Sequence, residues 1–248
     1  MLQSQQQQRC CHQQHHSSSV ASSRRRPSAP AATRHHRRRA LVARAPAAAA
    51  VDAPTVTVRP ISGEAELWAV ARLRADAYHE DDTSRFAATF KKQFAERETA
   101  SLRQRTQIGG DGVRCECLVA LDGAAGDESP AATVVGCIDL RPPPHGAASP
   151  GSSGVPLEDA AEGAYLLNVV VAEQARGKGV GGALMRAALA RAKETHGARR
   201  AYTHVEAGNG SAARLYARCG FREAGEESGA LAGATELGRV LLLCAELG

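Results

Sequence analysis

Apolar and polar residues alternate with a period of two in some segments of the chain and with helical spacing in others. Residues 55–61 carry β-branched side chains at alternate positions, which favours a first strand. Residues 64–79 predict a helix with an apolar face formed by Leu67, Val70, Ala71 and Ala75. The polar segment 81–84 is typical of a helix start, so a second helix is expected over residues 84–105.

The rest of the chain continues this alternation and predicts a mixed α/β, or α+β, domain. Two alternating segments separated by a Gly- and Ala-rich turn predict an antiparallel hairpin over residues 113–121 and 132–141. A Pro-, Gly- and Ser-rich loop over 142–163 follows. The remaining predicted elements are a strand at 164–171, a helix at 181–196, a strand at 200–206, a short helix from 209, and strands at 222–227 and 239–247. The sum is a mixed sheet of about seven strands with about four helices, and Gly197 and Gly220 stand where helix C-caps are needed.

Three phenylalanines, Phe86, Phe90 and Phe94, recur one turn apart in the predicted second helix. Such a stripe is typical of the buried face of an amphipathic helix, and that is the expectation here. The alternative is that the three rings line a substrate groove.

The first 51 residues differ in composition from everything that follows. They contain nine Arg and five His but no Asp, Glu, Lys or aromatic residue. This composition cannot form a core and predicts a disordered segment. A basic, Ser-rich, acid-free segment is typical of an organelle transit peptide, which leaves residues 52–248 as the folded domain. A basic arm that contacts nucleic acid is the alternative, but the segment has no aromatic residue for base stacking.

Charge and cysteine content exclude several classes of function. The whole chain carries a net charge of +5, and without the nine leader arginines the folded part carries −4, so nucleic-acid binding is not expected. No apolar run is long enough to span a bilayer. The seven cysteines form no CxxC pair, so no metal site is expected. Cys115 and Cys117 are predicted to be reduced, buried thiols on one face of a strand.

The segment 166–184, LLNVVVAEQARGKGVGGAL, combines a strand, a glycine-rich turn and a helix start. The first-turn N–H groups of a helix have no partner within the helix, and glycine lets a ligand approach the backbone. Cationic side chains add positive charge at the same place. The turn therefore predicts a phosphate site on the residues Arg176, Gly177, Lys178, Gly179, Val180, Gly181 and Gly182.

The glycine turn also permits three other interpretations. It matches the dinucleotide pattern G-x-G-x-x-G with Glu206 after the next strand, but residues 172–176 separate the strand from the glycines. A P-loop requires a Lys-Ser or Lys-Thr that this turn lacks. A connection without a ligand is the third, although four glycines in six residues cost much conformational entropy.

A second motif favours the phosphate interpretation. Arg176 to Gly181 fits R/Q-x-x-G-x-G/A, and the segment from Asn209 to Phe221 fits N-x-x-A-x-x-L-Y-x-x-x-G-F. In this order and spacing the two motifs resemble the acetyl-CoA signature and the following helix of the GNAT N-acetyltransferase superfamily. The resemblance covers residues 55–248, and residues 85–94 and the leader are similar to those of plastid members of plants and algae.

The resemblance implies the GNAT acyl-CoA N-acyltransferase fold, in which the central strands splay apart around acetyl-CoA. The backbone of Val169, Val170 and Val171 matches the residues that pair with the pantetheine arm, and the amides of the glycine turn match the pyrophosphate site. Asn209 falls within the second motif and is a further candidate for cofactor binding. Tyr216 matches the tyrosine that protonates the leaving thiolate, whereas its alternative role is helix-to-sheet packing.

The amine acceptor must lose a proton before it attacks a thioester. His204 and Tyr165 resemble the Tyr and His pair of some eukaryotic protein Nα-acetyltransferases, in which the motif H-V-x-x-x-N also occurs. A histidine on a strand can also be purely structural, and Asn168, Asp139 and Glu206 are rival residues for positioning water or amine. No Cys or Ser lies in a nucleophile motif, so direct transfer is expected, with the oxyanion held by a strand amide near Val170.

The expected function is thus acetyl-CoA-dependent N-acetylation by a monomer in the chloroplast, with no metal, nucleic-acid or membrane partner. Protein N-terminal α-amines are the expected acceptors, with lysine ε-amines as a further possibility. The alternatives are a small arylalkylamine such as serotonin, a non-catalytic acyl-CoA-binding regulator, and a mitochondrial or cytoplasmic location.

Overall fold

The computed structural model of the chain describes residues 56–106, 115–123, 133–143, 159, 161–226 and 240–248. The leader expected for residues 1–51 and most of the loop expected for residues 142–163 lie outside these ranges.

The order of strands and helices is the one that the sequence predicts. The strands are β1 (Val56–Pro60), β2 (Glu116–Asp122), β3 (Thr133–Arg141), β4 (Gly163–Val171), β5 (Arg200–Glu206), β6 (Arg222–Glu226) and β7 (Val240–Glu246). The helices are α1 (Gly63–Tyr78), α2 (Ala87–Thr106), α3 (Val180–Glu194) and α4 (Gly210–Arg218). A short 3₁₀ turn, Glu173–Ala175, separates β4 from the glycine turn and is not predicted by the sequence.

All seven strands form one mixed sheet in the order β1-β2-β3-β4-β5-β7-β6. β4 and β5 are parallel, whereas every other neighbouring pair is antiparallel. The predicted hairpin of β2 and β3 is therefore confirmed. β7 returns between β5 and β6, so the last strand of the chain lies inside the sheet.

Helices cover both faces of the sheet. The larger core lies between the sheet and helices α3 and α4, where Leu184, Met185 and Ala188 are fully buried. The second core lies between α1, α2 and the other face of β2 and β3. The predicted apolar face of α1 is confirmed, since Val70 and Ala71 in this core are fully buried.

The phenylalanine stripe does not form the buried face of α2. Phe86 is 50% exposed and Phe90 is 46% exposed, so the prediction of burial is wrong for both rings. Helix α2 begins at Ala87, and the side chains that it buries are Ala95, Thr99 and Leu102. Phe94 is half-buried and stacks on Tyr78 with ring centroids 5.1 Å apart. The buried face of α2 is thus set by small and aliphatic residues after the stripe.

Candidate active site

Strands β4 and β5 lie side by side only at their first residues. The parallel pairs are Gly163 with Arg200, Ala164 with Ala201, and Tyr165 with Tyr202. Beyond Tyr165, the rest of β4 pairs with β3 alone, and the rest of β5 pairs with β7 alone. The edge of β4 over residues 166–171 therefore faces a gap in the sheet, as the splayed strands implied by the resemblance require.

Tyr165 and His204 meet where the two strands begin to separate. The Tyr165 hydroxyl lies 2.8 Å from Nδ1 of His204, and the two ring centroids are 5.7 Å apart. Tyr165 is buried and His204 is half-buried. Side chains alternate along a strand, so the pair lies on the face opposite Leu166 and Val205, which pack in the core beneath α3 and α4. The structure thus brings together the two residues that the sequence proposes as proton acceptors.

A β-bulge lies in β4 between this pair and the glycine turn. Asp139 of β3 is opposite Leu167, while Cys137 is opposite Val170, so two residues of β4 face a single residue of β3. The first of these two residues is Asn168, whose φ of 54° is left-handed. A bulge interrupts the hydrogen-bond ladder and bends the strand. The backbone of residues 168–170 is therefore turned relative to a regular strand at the place where an oxyanion site is expected.

The glycine turn has the geometry of an anion site. Gly177 and Gly179 have φ values of 74° and 82°, a conformation that favours glycine. Gly179 is the N-cap of α3, and no side chain caps the first-turn N–H groups of this helix. These N–H groups point away from the helix, at its positive end, where an anion is stabilised. The turn can therefore hold the pyrophosphate of a coenzyme.

The other glycines of the turn act through packing. A Cβ atom on Gly181 would lie 3.3 Å from Cδ2 of Leu215, so this glycine lets α3 approach α4 closely. A Cβ atom on Gly182 would lie 3.2 Å from Nη1 of Arg186 in the same helix, a flexible group that can move aside. A Cβ atom on Gly177, in contrast, would meet nothing within 4 Å, so glycine is favoured there by its positive φ and not by lack of space.

Arg176 is paired with a carboxylate. Its two terminal nitrogens each lie 2.7 Å from an oxygen of Glu80, in the segment between α1 and α2, and its Nε donates to the Val171 carbonyl at 3.2 Å. The hydrogen bond with Glu80 raises the pKa of Arg176 above its usual value. The guanidinium charge that the sequence assigns to the phosphate site is therefore largely neutralised by an ion pair with Glu80. Lys178, in contrast, is exposed beside the turn.

Asn209 and Tyr216 both belong to α4. The side-chain oxygen of Asn209 accepts a hydrogen bond from the Ala212 N–H at 3.0 Å, which makes it the N-cap of the helix. Tyr216 is buried, and its ring meets that of Phe221 edge to face at 5.7 Å. Tyr216 packs in the core on the α3 and α4 side of the sheet. It therefore lies on the face of the sheet opposite Tyr165 and His204.

Asp139, one of the rival residues, lies inside a buried ionic cluster. Its Oδ1 accepts a hydrogen bond from Arg74 at 2.7 Å, and its Oδ2 accepts one from Asn168 at 2.8 Å. Arg105 lies 3.3 Å from the same Oδ2. Burial alone raises the pKa of Asp139, but Arg74 and Arg105 outweigh burial and hold the pKa well below its usual range. Asp139 is thus an ionised hydrogen-bond acceptor inside the fold.

Arg74 is the residue of this cluster that sequence reasoning missed. It lies in α1 with its side chain 1% exposed, and it also donates to Glu98 of α2 at 2.7 Å. The only available signal is its position, since residue 74 falls on the same helical face as Val70 and Ala71.

The buried cysteines are protonated at neutral pH. Cys115, Cys117 and Cys137 are all buried, as predicted for the first two. Burial raises the pKa of the Cys115 thiol to about 12. A thiol is a nucleophile only when it is deprotonated, so these cysteines are unsuited to carry an acetyl group.

Within the described ranges, no group of three or more His, Cys, Asp or Glu side chains is close enough to hold a metal ion. None of the helices in these ranges combines the length and the apolar character needed to cross a bilayer.

A mixed sheet that opens between two central strands, with a glycine-rich turn leading into a helix, defines the fold of the acyl-CoA N-acyltransferases. The profile of the acetyltransferase (GNAT) family matches residues 73–221. The chain therefore belongs to the GNAT family, whose members are N-acetyltransferases that use acetyl-CoA as co-substrate.

Two similar proteins come from Arabidopsis thaliana. GCN5-related N-acetyltransferase 6, chloroplastic, is 31% identical over 169 residues, a match that covers 63% of this chain but only 58% of that protein. GCN5-related N-acetyltransferase 7, chloroplastic, is 31% identical over 196 residues, covering 71% of this chain and 70% of that protein. The chain thus spans less than two thirds of the first relative.

Solved structures agree on the fold. A chimera of the spermidine N-acetyltransferase from Vibrio cholerae superposes with a TM-score of 0.51 at 18% identity, covering 78% of this chain and 96% of the other. A putative phosphinothricin N-acetyltransferase superposes with a TM-score of 0.50 at 21% identity, covering 78% and 99%. At these identities the likeness extends to the fold alone.

Proposed function

We propose that this chain transfers an acetyl group from acetyl-CoA directly to protein N-terminal α-amines, and to lysine ε-amines as secondary acceptors. The observation that carries the proposal is the 2.8 Å contact between the Tyr165 hydroxyl and Nδ1 of His204, at the point where β4 and β5 separate. An acceptor that reaches this point meets the start of the gap in which the thioester would lie.

The pair would deprotonate the acceptor amine. A proton of the ammonium group passes to the Tyr165 oxygen while the phenol proton passes to Nδ1 of His204, so the positive charge moves to the imidazole. A free α-amine has a pKa of about 8 and a lysine side chain about 10.4. Removal of the proton near neutral pH is therefore easier from an α-amine, which is why the α-amine is the preferred acceptor.

Backbone groups would hold the co-substrate. The edge of β4 at Val169, Val170 and Val171 offers N–H and C=O groups to the pantetheine arm, and the amides of the turn from Arg176 to Gly182 bind the pyrophosphate. An amide near Val170 stabilises the oxyanion that forms as the amine attacks. Tyr216 donates its proton to the sulfur as the carbon–sulfur bond breaks, and Asn209 keeps α4 in place through its cap.

The remaining features concern the setting of the enzyme. We propose residues 1–51 as a plastid transit peptide and residues 52–248 as the enzyme domain, acting as a monomer. The leader composition and the chloroplastic relatives support this location. The location of a fluorescent protein fused to residues 1–51 tests this proposal. Import into chloroplasts would support it, and retention in the cytosol would contradict it.

Acetylation of a substrate panel tests the acceptor class. The purified full chain is assayed with peptides that carry a free N-terminus, with N-terminally blocked peptides that carry one lysine, and with free amines. We expect the first group to react with the highest kcat/KM. Activity with free amines and none with peptides would overturn the proposed acceptor.

Tyrosine variants test the assigned roles. Tyr165→Phe removes the hydroxyl of the pair, and we expect kcat to fall by about 10²- to 10⁴-fold, the usual contribution of general base catalysis. Tyr216→Phe should keep acetyl-CoA affinity and also lose turnover. Tyr202→Phe is the matched control, because the Tyr202 hydroxyl bonds to Asp159 and lies outside the pair. An unchanged kcat in Tyr165→Phe or Tyr216→Phe would remove the role given to that residue.

A small arylalkylamine is the second candidate acceptor. The exposed rings of Phe86 and Phe90, with His79 stacked 6.3 Å from Phe90, form an aromatic surface that suits an aromatic amine. This surface adjoins Glu80, which is bound to the glycine turn through Arg176. The substrate panel separates the two candidates, and acetyl-CoA binding without turnover on any amine would instead indicate a regulator.

A further inference from the structure

The bulge in β4 is tied to a cluster of buried charges beneath it. Asp139 links the two, since it accepts one hydrogen bond from Asn168 of the bulge and one from Arg74 of α1. Arg74 in turn binds Glu98 of α2, and Arg105 of α2 contacts both carboxylates. The side chain of Asp139 has no exposed surface. Helices α1 and α2 are thus connected to Asp139 through ion pairs, and Asp139 is connected to residue 168 through a hydrogen bond.

The left-handed conformation of Asn168 requires such support. A residue with a side chain is strained at a φ of 54°, although asparagine tolerates this conformation better than most. The Asn168 side-chain amide donates a hydrogen bond to Asp139 at 2.8 Å, and the Asn168 backbone oxygen accepts one from the Cys137 thiol at 3.8 Å. These contacts hold both the side chain and the backbone of the residue that forms the bulge.

The bulge determines which backbone groups β4 presents to the gap. A shift of one residue in a strand moves every following side chain to the other face. Without the extra residue, Val169, Val170 and Val171 would exchange their orientation relative to Tyr165. The position of the amide near Val170 therefore depends on the conformation of residue 168.

We propose that Asp139 and Asn168, supported by Arg74, are positioning residues for acetyl transfer: the ion-paired carboxylate holds Asn168 left-handed, and the resulting bulge aims the β4 backbone at the acetyl carbonyl. The inference rests on the proposed function, because it assigns the bulge to the carbonyl of acetyl-CoA. None of the three side chains needs to touch the substrate.

Two substitutions at residue 168 separate backbone conformation from side-chain chemistry. Asn168→Gly loses the side chain but adopts a positive φ readily, whereas Asn168→Ala loses the side chain and is strained there. The affinities of the full chain for acetyl-CoA and for CoA are measured by calorimetry. We expect the wild type to prefer acetyl-CoA, Asn168→Gly to keep this preference, and Asn168→Ala to reduce it by about fivefold, as the loss of one hydrogen bond does.

Turnover gives a second readout. For an amine that the wild type acetylates, kcat should fall at least about tenfold in Asn168→Ala, and KM for acetyl-CoA should change less, because a contact made mainly in the transition state is lost. Asn168→Gly should restore most of kcat. Asp139→Asn should resemble Asn168→Ala in both readouts.

Leu102→Ala is the control for lost stability. Leu102 is fully buried in the same layer of α2 and belongs to no part of the ionic cluster. The variant should unfold at lower temperature yet keep the preference for acetyl-CoA and the wild-type kcat.

The calorimetric result separates this inference from the proposed function. A wild type that prefers acetyl-CoA but acetylates no amine would contradict only the proposed function. Equal affinity of the wild type for CoA and acetyl-CoA, an unchanged preference in Asn168→Ala, or an equal loss in Asn168→Gly would overturn the positioning role.

Discussion

Replacement of Arg74 by methionine tests how much the buried ionic cluster contributes to stability. Methionine keeps much of the length of the arginine side chain but removes its charge and its hydrogen bonds. The Arg74 side chain is 1% exposed and makes bonds of 2.7 Å to Asp139 and to Glu98. A hydrogen bond to a charged group contributes about 1.5–3 kcal/mol, and removal of one partner of a buried ion pair costs about 3–5 kcal/mol. Arg105 still contacts both carboxylates in the variant, so the expected loss is about 3 kcal/mol, at the lower end.

Urea unfolding followed by circular dichroism at pH 7 measures this loss, which is a large part of the roughly 5–15 kcal/mol of a typical domain. The matched control is Arg103→Met on the same helix, because Arg103 pairs with Glu64 and both side chains are largely exposed. Such a pair contributes at most about 1 kcal/mol. A loss in Arg74→Met no larger than that in Arg103→Met would refute the reasoning, provided that the urea dependence of the unfolding free energy is unchanged.

Three further outcomes follow from single contacts. Gly136→Ala should lower stability by about 1–3 kcal/mol, because its Cβ would lie 2.9 Å from the Leu184 side chain and 3.2 Å from a backbone oxygen. Gly208→Ala is the control in the same thermal melt, because a Cβ atom on Gly208 would have no neighbour within 4 Å. Glu80→Gln should tighten acetyl-CoA binding at low salt, since it releases Arg176 for the phosphates, and unchanged or weaker binding by calorimetry would contradict this. Because the pKa of Asp139 is lowered in the fold, its contribution to stability is present above about pH 4 and is lost as the pH falls further; urea titrations from pH 5 to pH 3 should show a shallower decline in Asp139→Asn than in the wild type.

Much of the fold could be predicted because its signals are local. The period of apolar residues places every strand and helix to within a few residues, and the predicted β5 coincides with Arg200–Glu206. The glycines at helix ends are equally local signals: Gly197 and Gly220 have φ values of 65° and 88°. Each of these features depends on a few neighbouring residues, so a single sequence suffices to find it.

The features that were missed depend on residues distant in the chain. The burial of Arg74 is favourable only because Asp139, 65 positions later, neutralises it. The left-handed conformation of Asn168 depends on the same carboxylate, and a valine-rich strand gives no local sign of it. Likewise, the sequence assigned Arg176 to phosphate alone because its partner Glu80 lies 96 positions earlier. The exposure of Phe90 depends on which face of α2 packs against α1, and Phe86 precedes the first residue of that helix.

The candidate site was only partly accessible from the sequence. The motif around His204 predicts its pairing with Tyr165, and the two side chains do meet. The sequence does not distinguish the reasons for which each glycine is needed. Gly181 is needed because a side chain there would press on Leu215 of another helix, whereas Gly177 and Gly179 are needed because their φ values are positive.

The short seam between β4 and β5 has a mechanical consequence. Three paired residues on each strand connect a piece containing β1 to β4 with a piece containing β5 to β7, and the rest of the seam is open. A ligand that pairs with the open edge of β4 adds hydrogen bonds along the weakest line of the sheet. Such a co-substrate would stabilise the junction between β4 and β5 as well as donate the acetyl group. The force needed to separate the two strands would therefore rise when the co-substrate binds and fall when the product leaves, in each turnover.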